Sequence, residues 1–114
     1  MLDIKEARNG DKMEIFLSGR LDTTTSPKLE GVLKEVKAIN TLVFDMADVS
    51  YISSTGLRVV LLAHKLMAGT RTGKLYVRNP STFCKQVFEA TGMDSLLTFS
   101  DGTNEPEAKS SKKE

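Results

Sequence analysis

The sequence predicts an α/β sandwich, a β-sheet whose strands are joined by helices packed against it. Three observations carry this. Two short extended runs flank Asn9-Gly10-Asp11, a nearly continuous apolar run covers residues 41–46, and three amphipathic stretches separate the later strand-like segments. The order reads β-β-α-β-α-β-α-β, with crossovers between parallel strands expected to be right-handed.

Asn-Gly is a strong turn signal, so residues 2–8 and 12–17 are expected to pair as a hairpin. Gly19-Arg20-Leu21-Asp22 then leads into Thr23-Thr24-Thr25-Ser26-Pro27, where Ser before Pro is the expected N-cap and first position of a helix. Leu29, Val32, Leu33 and Val36 recur at one-face helical spacing, with Lys28, Lys34, Glu35 and Lys37 opposite, predicting an amphipathic helix that ends near Asn40. Residues 41–46 have the pattern of a central strand buried on both faces of a parallel or mixed sheet. A loop over residues 47–53 is expected to precede a second helix. There Leu57, Val60, Leu61, His64 and Lys65 keep helical spacing, and Val59, Leu62, Leu66 and Met67 widen the apolar face.

Gly69 and Gly73 close that helix and the following turn, and residues 74–78 alternate in the manner of a half-buried strand. Asn79-Pro80-Ser81 signals a third, shorter helix with Phe83, Val87 and Phe88 on one face and Gly92 as its terminator. Residues 96–99 are expected to add a last short strand. Residues 102–114, charged and without an aliphatic side chain larger than alanine, are expected to be a disordered tail, leaving residues 1–101 as the domain.

A length of 114 residues, 39% apolar and 27% charged, suits one domain able to bury a core unaided. Lys plus Arg total 16 against 15 Asp plus Glu, a net charge of +1 that provides no electrostatic footprint for direct nucleic-acid binding. Cys84 is the only cysteine, which excludes an intrachain disulfide and fits a reducing, cytoplasmic setting. No apolar run reaches the length of a signal peptide or a membrane span. A monomer is expected.

The segment between the central strand and the second helix is the most informative. Ser53, Ser54, Thr55 and Gly56 lie where α/β folds present functional groups, and the free N–H groups at a helix start favour an anion. Ser53 or Ser54 can equally be an ordinary N-cap, with Gly56 allowing close approach to the sheet. The pattern Asp45-x-x-Asp48-Val49-Ser50-Tyr51-Ile52-x-Ser54-Thr55-Gly56-Leu57, with Gly19-x-Leu21-Asp22 upstream, resembles the bacterial anti-sigma-factor antagonists, the single-domain members of the STAS family. The likeness covers roughly residues 1–100.

That resemblance implies a STAS-like sandwich with a mixed four- to five-stranded sheet, and a substrate of phosphorylation in place of an enzyme. It makes Ser54 the phosphoacceptor and Asp22, Thr23, Thr24, Ser53, Ser54, Thr55, Gly56, Leu57 and Arg58 the partner-binding residues. The implied partners are an anti-sigma factor that is also a serine kinase of GHKL type, and a serine phosphatase. Binding frees a sigma factor and so regulates transcription; phosphorylation reverses it. Ser53 departs from the Asp that the family usually places before the acceptor, and the Thr23-Thr24-Thr25 run is richer in hydroxyls than expected. A constitutive STAS adaptor, in a stressosome-like or phospholipid-transport complex, is the alternative.

Other residues carry less. His64 stands alone on a helix face, Cys84 reads as a small buried hydrophobe, and Asp45 and Asp48 read as strand and turn residues without further ligands for a metal. Arg20, Arg58, Lys65, Arg71 and Arg78 are dispersed charges of a solvated surface. With no glycine-rich phosphate loop and no base or metal set, a small nucleotide-binding enzyme is disfavoured, and neither cofactor nor metal is expected.

Overall fold

The computed structural model describes residues 1–108. Gly10, at φ 62°, supplies the left-handed turn that pairs β1 (Leu2–Asn9) with β2 (Lys12–Leu21) in an antiparallel hairpin. β3 (Thr41–Ile52), β4 (Lys74–Arg78) and β5 (Thr98–Ser100) then join in sequence order, each parallel to the strand before it. The result is a five-stranded mixed sheet. Every parallel connection steps the same way across it, so right-handed crossovers place α1 (Ser26–Lys34), α2 (Ser54–Ala68) and α3 (Thr82–Thr91) on one face. A short 3-10 turn, Met93–Ser95, links α3 to β5.

The alternation of β2, β3 and β4 sorts their residues between the two faces. Ile15, Phe44 and Val77 stand side by side in register and point into the core with Leu29, Leu33, Val59, Val60, Ala63, Met67, Cys84 and Phe88 of the helices. Glu14, Val43 and Tyr76 form the neighbouring row on the helix-free face. Ile15, Phe44, Val60, Val77 and Phe88 are completely buried, so the two-layer core closes around the middle of the sheet.

Several expectations shift. The first helix ends at Lys34, capped by Glu35, and the chain turns through Ala38 at φ 59° before Ile39 re-enters the core. β2 runs on to Leu21, and β3 runs on to Ile52, so residues 47–52 are strand where a loop was expected and Asp48 pairs opposite Ser18 instead of forming a turn. β3 accommodates this with one extra residue between Asp45 and Asp48 and another between Val49 and Tyr51, two bulges against β2. In α2, Leu62 and Leu66 are 41% and 40% exposed, while Gly56, Val59, Val60, Ala63 and Met67 form the buried face. In α3, Cys84 and Phe88 are buried and Phe83 is 38% exposed. The last strand lies at Thr98–Ser100. Of the expected disordered tail, residues 109–114 lie outside the described residues; within residues 102–108, Glu105 has a fully buried side chain in ion pairs with Arg78 and Lys12.

Candidate functional site

β2 and β3 are parallel and finish together, Leu21 opposite Ile52, so the turns that follow them lie side by side at one pole. The Ser53 N–H donates to the Leu21 carbonyl at 3.0 Å, tying the two turns together. Ser53 is extended, at φ −96° and ψ 176°, and its Oγ accepts from the Gly56 N–H at 3.2 Å. Its carbonyl receives the Leu57 N–H at 2.8 Å. Ser53 is thus the N-cap of α2, which settles the choice the sequence leaves open between the two serines.

Ser54 is the first residue of the helix, exposed, and its hydroxyl makes no hydrogen bond among the described residues. Thr55 Oγ1 lies 3.4 Å from Thr23 Oγ1, bridging the two turns. Gly56 is buried, and a Cβ there would stand 2.6 Å from the Leu21 carbonyl oxygen and 2.9 Å from its Cγ. Only glycine lets the first turn of α2 sit this close to the end of β2. Leu57 packs against the core and Arg58 is exposed one turn beyond Ser54.

Asp22 organises the other turn. Its Oδ1 accepts from the Thr24 N–H at 3.1 Å, the Thr24 hydroxyl at 2.9 Å and the Thr25 N–H at 3.2 Å, an Asx-type turn. Thr25 Oγ1 donates to the Arg20 carbonyl at 2.7 Å and receives the Asp22 N–H at 2.9 Å. These bonds, the Thr24 hydroxyl first, hold the Asp22 carboxyl down at about 2, so the turn keeps a fixed negative charge. Thr25 therefore holds the turn together, while Thr23 and Thr24 remain exposed.

The structure brings Asp22, Thr23, Thr24, Ser53, Ser54, Thr55 and Gly56 onto one pole, with Leu57 turned to the core and Arg58 exposed beyond it. Sequence reasoning missed a flank of it. Arg20 and Tyr51 are register partners; the guanidinium lies 4.2 Å over the Tyr51 ring and 3.4 Å from Asp22 Oδ2, and Tyr51 tilts onto Phe83 at 5.4 Å. Extending the second strand past Leu17 and the third past Met46 would have revealed the pair. Asp45 faces Arg78 at 3.6 Å, and no group of three or more His, Cys, Asp or Glu among the described residues could hold a metal. Cys84 is buried, its thiol pushed up by desolvation, and His64 lies half-exposed along α2. A groove of about 770 Å³ beside α3 and β5, lined by Lys85, Glu89, Asp94 and Asp101 among others, includes none of these polar-turn residues. No helix among the described residues is long and apolar enough to cross a membrane.

Comparison with known proteins agrees with this geometry. The STAS domain family model matches residues 4–105. The anti-sigma-B factor antagonist of Listeria monocytogenes is 35% identical over 98 residues, covering 84% of each chain. That of Staphylococcus epidermidis is 33% identical over 105 residues, covering 90% of this chain and 95% of the relative. Among solved structures, an anti-sigma factor antagonist from Mycobacterium paratuberculosis superposes with a TM-score of 0.79 at 22% identity, covering 91% of this chain and 89% of that one. The phosphorylated form of the Bacillus cell fate determinant SpoIIAA does so at 0.70 and 18%, covering 88% and 93%. The chain therefore belongs to the STAS-domain family and, within it, to the anti-sigma factor antagonists.

Proposed function

We propose that this protein works by partner switching in the cytoplasm: as a monomer it binds an anti-sigma factor that is also a serine kinase of GHKL type, and phosphorylation of Ser54 ends that binding. The surface is Asp22, Thr23 and Thr24 together with residues 53–58. It acts by binding and not by catalysis. The observation that carries the reading is the division of labour between the two serines. The Ser53 hydroxyl is committed to the cap, whereas the Ser54 hydroxyl is exposed at the positive end of α2 and makes no hydrogen bond among the described residues.

Phosphate on Ser54 adds about −1.5 to −2 charges and three acceptor oxygens where the helix start tolerates them, so the fold survives modification. A partner surface packed against a neutral hydroxyl would instead meet a dianion beside the ionised Asp22. An unmatched charge at an interface costs several kcal/mol by order of magnitude, and a loss of about 2.8 kcal/mol is about a hundredfold in affinity. A serine phosphatase would restore the binding form.

The test is a pull-down from the native host's lysate with wild type and Ser54→Glu as parallel baits, with mass spectrometry of the captured proteins and of residue 54. Capture of a GHKL-type kinase by wild type alone supports the switch. Capture of the same proteins by both baits, with residue 54 never phosphorylated, overturns it in favour of a constitutive adaptor.

A further inference from the structure

The helix-free face of the sheet carries a feature unrelated to the Ser54 pole. Val43 and Tyr76 are buried there, yet neither belongs to the core cluster under the helices. The C-terminal segment lies on this face: Pro106 and Glu107 sit beside Tyr76, and Glu105 pairs with Lys12 of β2 and Arg78 of β4, the strands either side of Val43. Asp101 Oδ1 accepts from the Thr103 N–H at 2.9 Å, Gly102 N–H donates to Ser100 Oγ at 2.9 Å, and Asn104 Nδ2 donates to the Phe99 carbonyl at 3.2 Å. This turn reverses the chain after β5 and lays Glu105 back over the strands.

Glu105 then meets a built receptor. Its two carboxylate oxygens accept from Arg78 Nη2 at 2.6 Å and Nε at 2.8 Å in a bidentate pair. Ser100 Oγ donates to it at 2.6 Å and Lys12 Nζ lies 3.1 Å away. The Glu105 side chain is 0% exposed and that of Arg78 13%. Arg78 Nη2 also bonds Glu14 at 2.5 Å, and Nη1 lies 3.6 Å from Asp45. If Glu105 left, Arg78 would keep Glu14 and Asp45 as partners, whereas Lys12 would lose its ion pair.

The receptor also sets a direction. Pro106 and Glu107 line a small concavity with Asp11, Asn40, Thr41, Thr72 and Lys74. Thr41 and Lys74 begin β3 and β4, while Ser54 follows the end of β3. Because the two bulges make β3 span only the nine steps of β2 from Lys12 to Leu21, these two ends are roughly 30 Å apart at about 3.3 Å per residue.

We propose that residues 101–108 form a strap, latched by Glu105 onto Arg78 and Lys12, that closes the helix-free face and carries the C-terminal end of the domain to the pole opposite Ser54. The strap thereby holds Glu105, Pro106 and Glu107 away from the Ser54 pole whatever partner that pole takes.

Two measurements on the full chain test this. Amide hydrogen exchange compares wild type with Glu105→Gln, which removes the charge and keeps the shape. Protection of the Gly102 and Thr103 amides, both bonded within the turn, should fall at least tenfold while that of α2 is unchanged. Equal protection in both proteins overturns the latch. In the second, a nitroxide on Glu107→Cys, with Cys84 buried, should broaden the amide resonances of Asn40, Thr41 and Thr72 and leave those of residues 53–58 sharp. Broadening at residues 53–58, or at neither pole, overturns the placement.

Discussion

Replacing Ser53 by alanine removes the acceptor for the Gly56 N–H, one of the four amide donors at the start of α2 that the helix itself leaves without partners. Loss of an N-cap side chain costs about 0.5–2 kcal/mol. Ser53 is only half-exposed and Gly56 is buried, so water replaces the lost acceptor poorly and the cost falls in the upper half, about 1–2 kcal/mol. For a domain near 100 residues this lowers Tm by about 4–8 °C for each kcal/mol. Ser54→Ala removes a hydroxyl that bonds nothing within the described chain, and its effect should stay within about 0.5 kcal/mol. Ser53→Asp should hold or exceed wild-type stability, because aspartate caps as well as serine and adds a negative charge at the positive end of the helix. Urea unfolding followed by far-UV circular dichroism, with the denaturant slope unchanged, reads all three variants. A Ser54→Ala variant as destabilised as Ser53→Ala would place the cap on the wrong serine and remove the structural basis for a free Ser54 hydroxyl.

Two glycine-to-alanine changes should have opposite signs. Gly31→Ala, where an added Cβ meets nothing within 4 Å, should stabilise by about 0.5–1 kcal/mol, whereas Gly56→Ala, which drives a Cβ against Leu21, should destabilise by about 1–3 kcal/mol. Chemical denaturation giving both the same sign would contradict the close approach of α2 to β2. The carboxyls of Asp22 and Glu105 are both lowered to about 2, Asp22 chiefly by the Thr24 hydroxyl and Glu105 chiefly by the Arg78 guanidinium. Lowered folded values mean that their contribution is fully present above the ordinary values of 3.8 and 4.5 and is lost as pH falls toward 2, so stability measured across that window should decline. A carbon-detected titration in which either group protonates near its ordinary value would refute the corresponding hydrogen-bond set. Cys84, buried and with its thiol raised by desolvation, should resist iodoacetamide in the folded protein and react once urea unfolds it; mass spectrometry showing fast modification of the folded chain would refute its burial.

The periodic elements were legible because their signals are local. The Asn-Gly turn and the Ser-Pro helix start act over a few residues, and both elements begin where the sequence places them, although Thr25 and not Ser26 is the N-cap and the Ser26 hydroxyl donates to the Asp22 carbonyl instead. Residues 74–78 form a strand as expected, but Leu75, Tyr76 and Val77 are all buried where alternation predicts one exposed face, because the C-terminal segment packs beside the helix-free side. The end of α1 was not, because Val36 continues the helical period although Ala38 has left the helix, and no terminating glycine marks the stop. The extension of β3 was hidden by Asp48 and Ser50. Beyond Asp45 the strand has lost its β4 neighbour and pairs with β2 alone, so polar residues are tolerated where an apolar run would otherwise be needed. Phe83 was assigned to a buried face that Cys84 occupies instead, since a one-residue rotation of a short helix leaves its composition unchanged. At the functional pole, the hydroxyl-rich turns were visible, but which serine caps depends on the backbone at Ser53, and the Arg20–Tyr51 stack depends on register across two strands. Glu105 was the least legible, as nothing local distinguishes it from its charged neighbours; its partners Lys12 and Arg78 are distant in sequence.

The strand order has a consequence for how the chain assembles. Because β1 to β5 stand in the sheet in the order in which they are synthesised, no strand has to insert between two that are already paired. Each newly made helix and strand can dock on the free edge left by its predecessor, which keeps loop closures modest for a parallel sheet. Glu105 arrives last and binds Lys12, at the start of β2, together with Arg78 of β4, so the final ion pairs to form span strands laid down at quite different times. A released chain that ended after β4 would therefore hold four strands able to pair but lack the acidic clasp that joins β2 to β4.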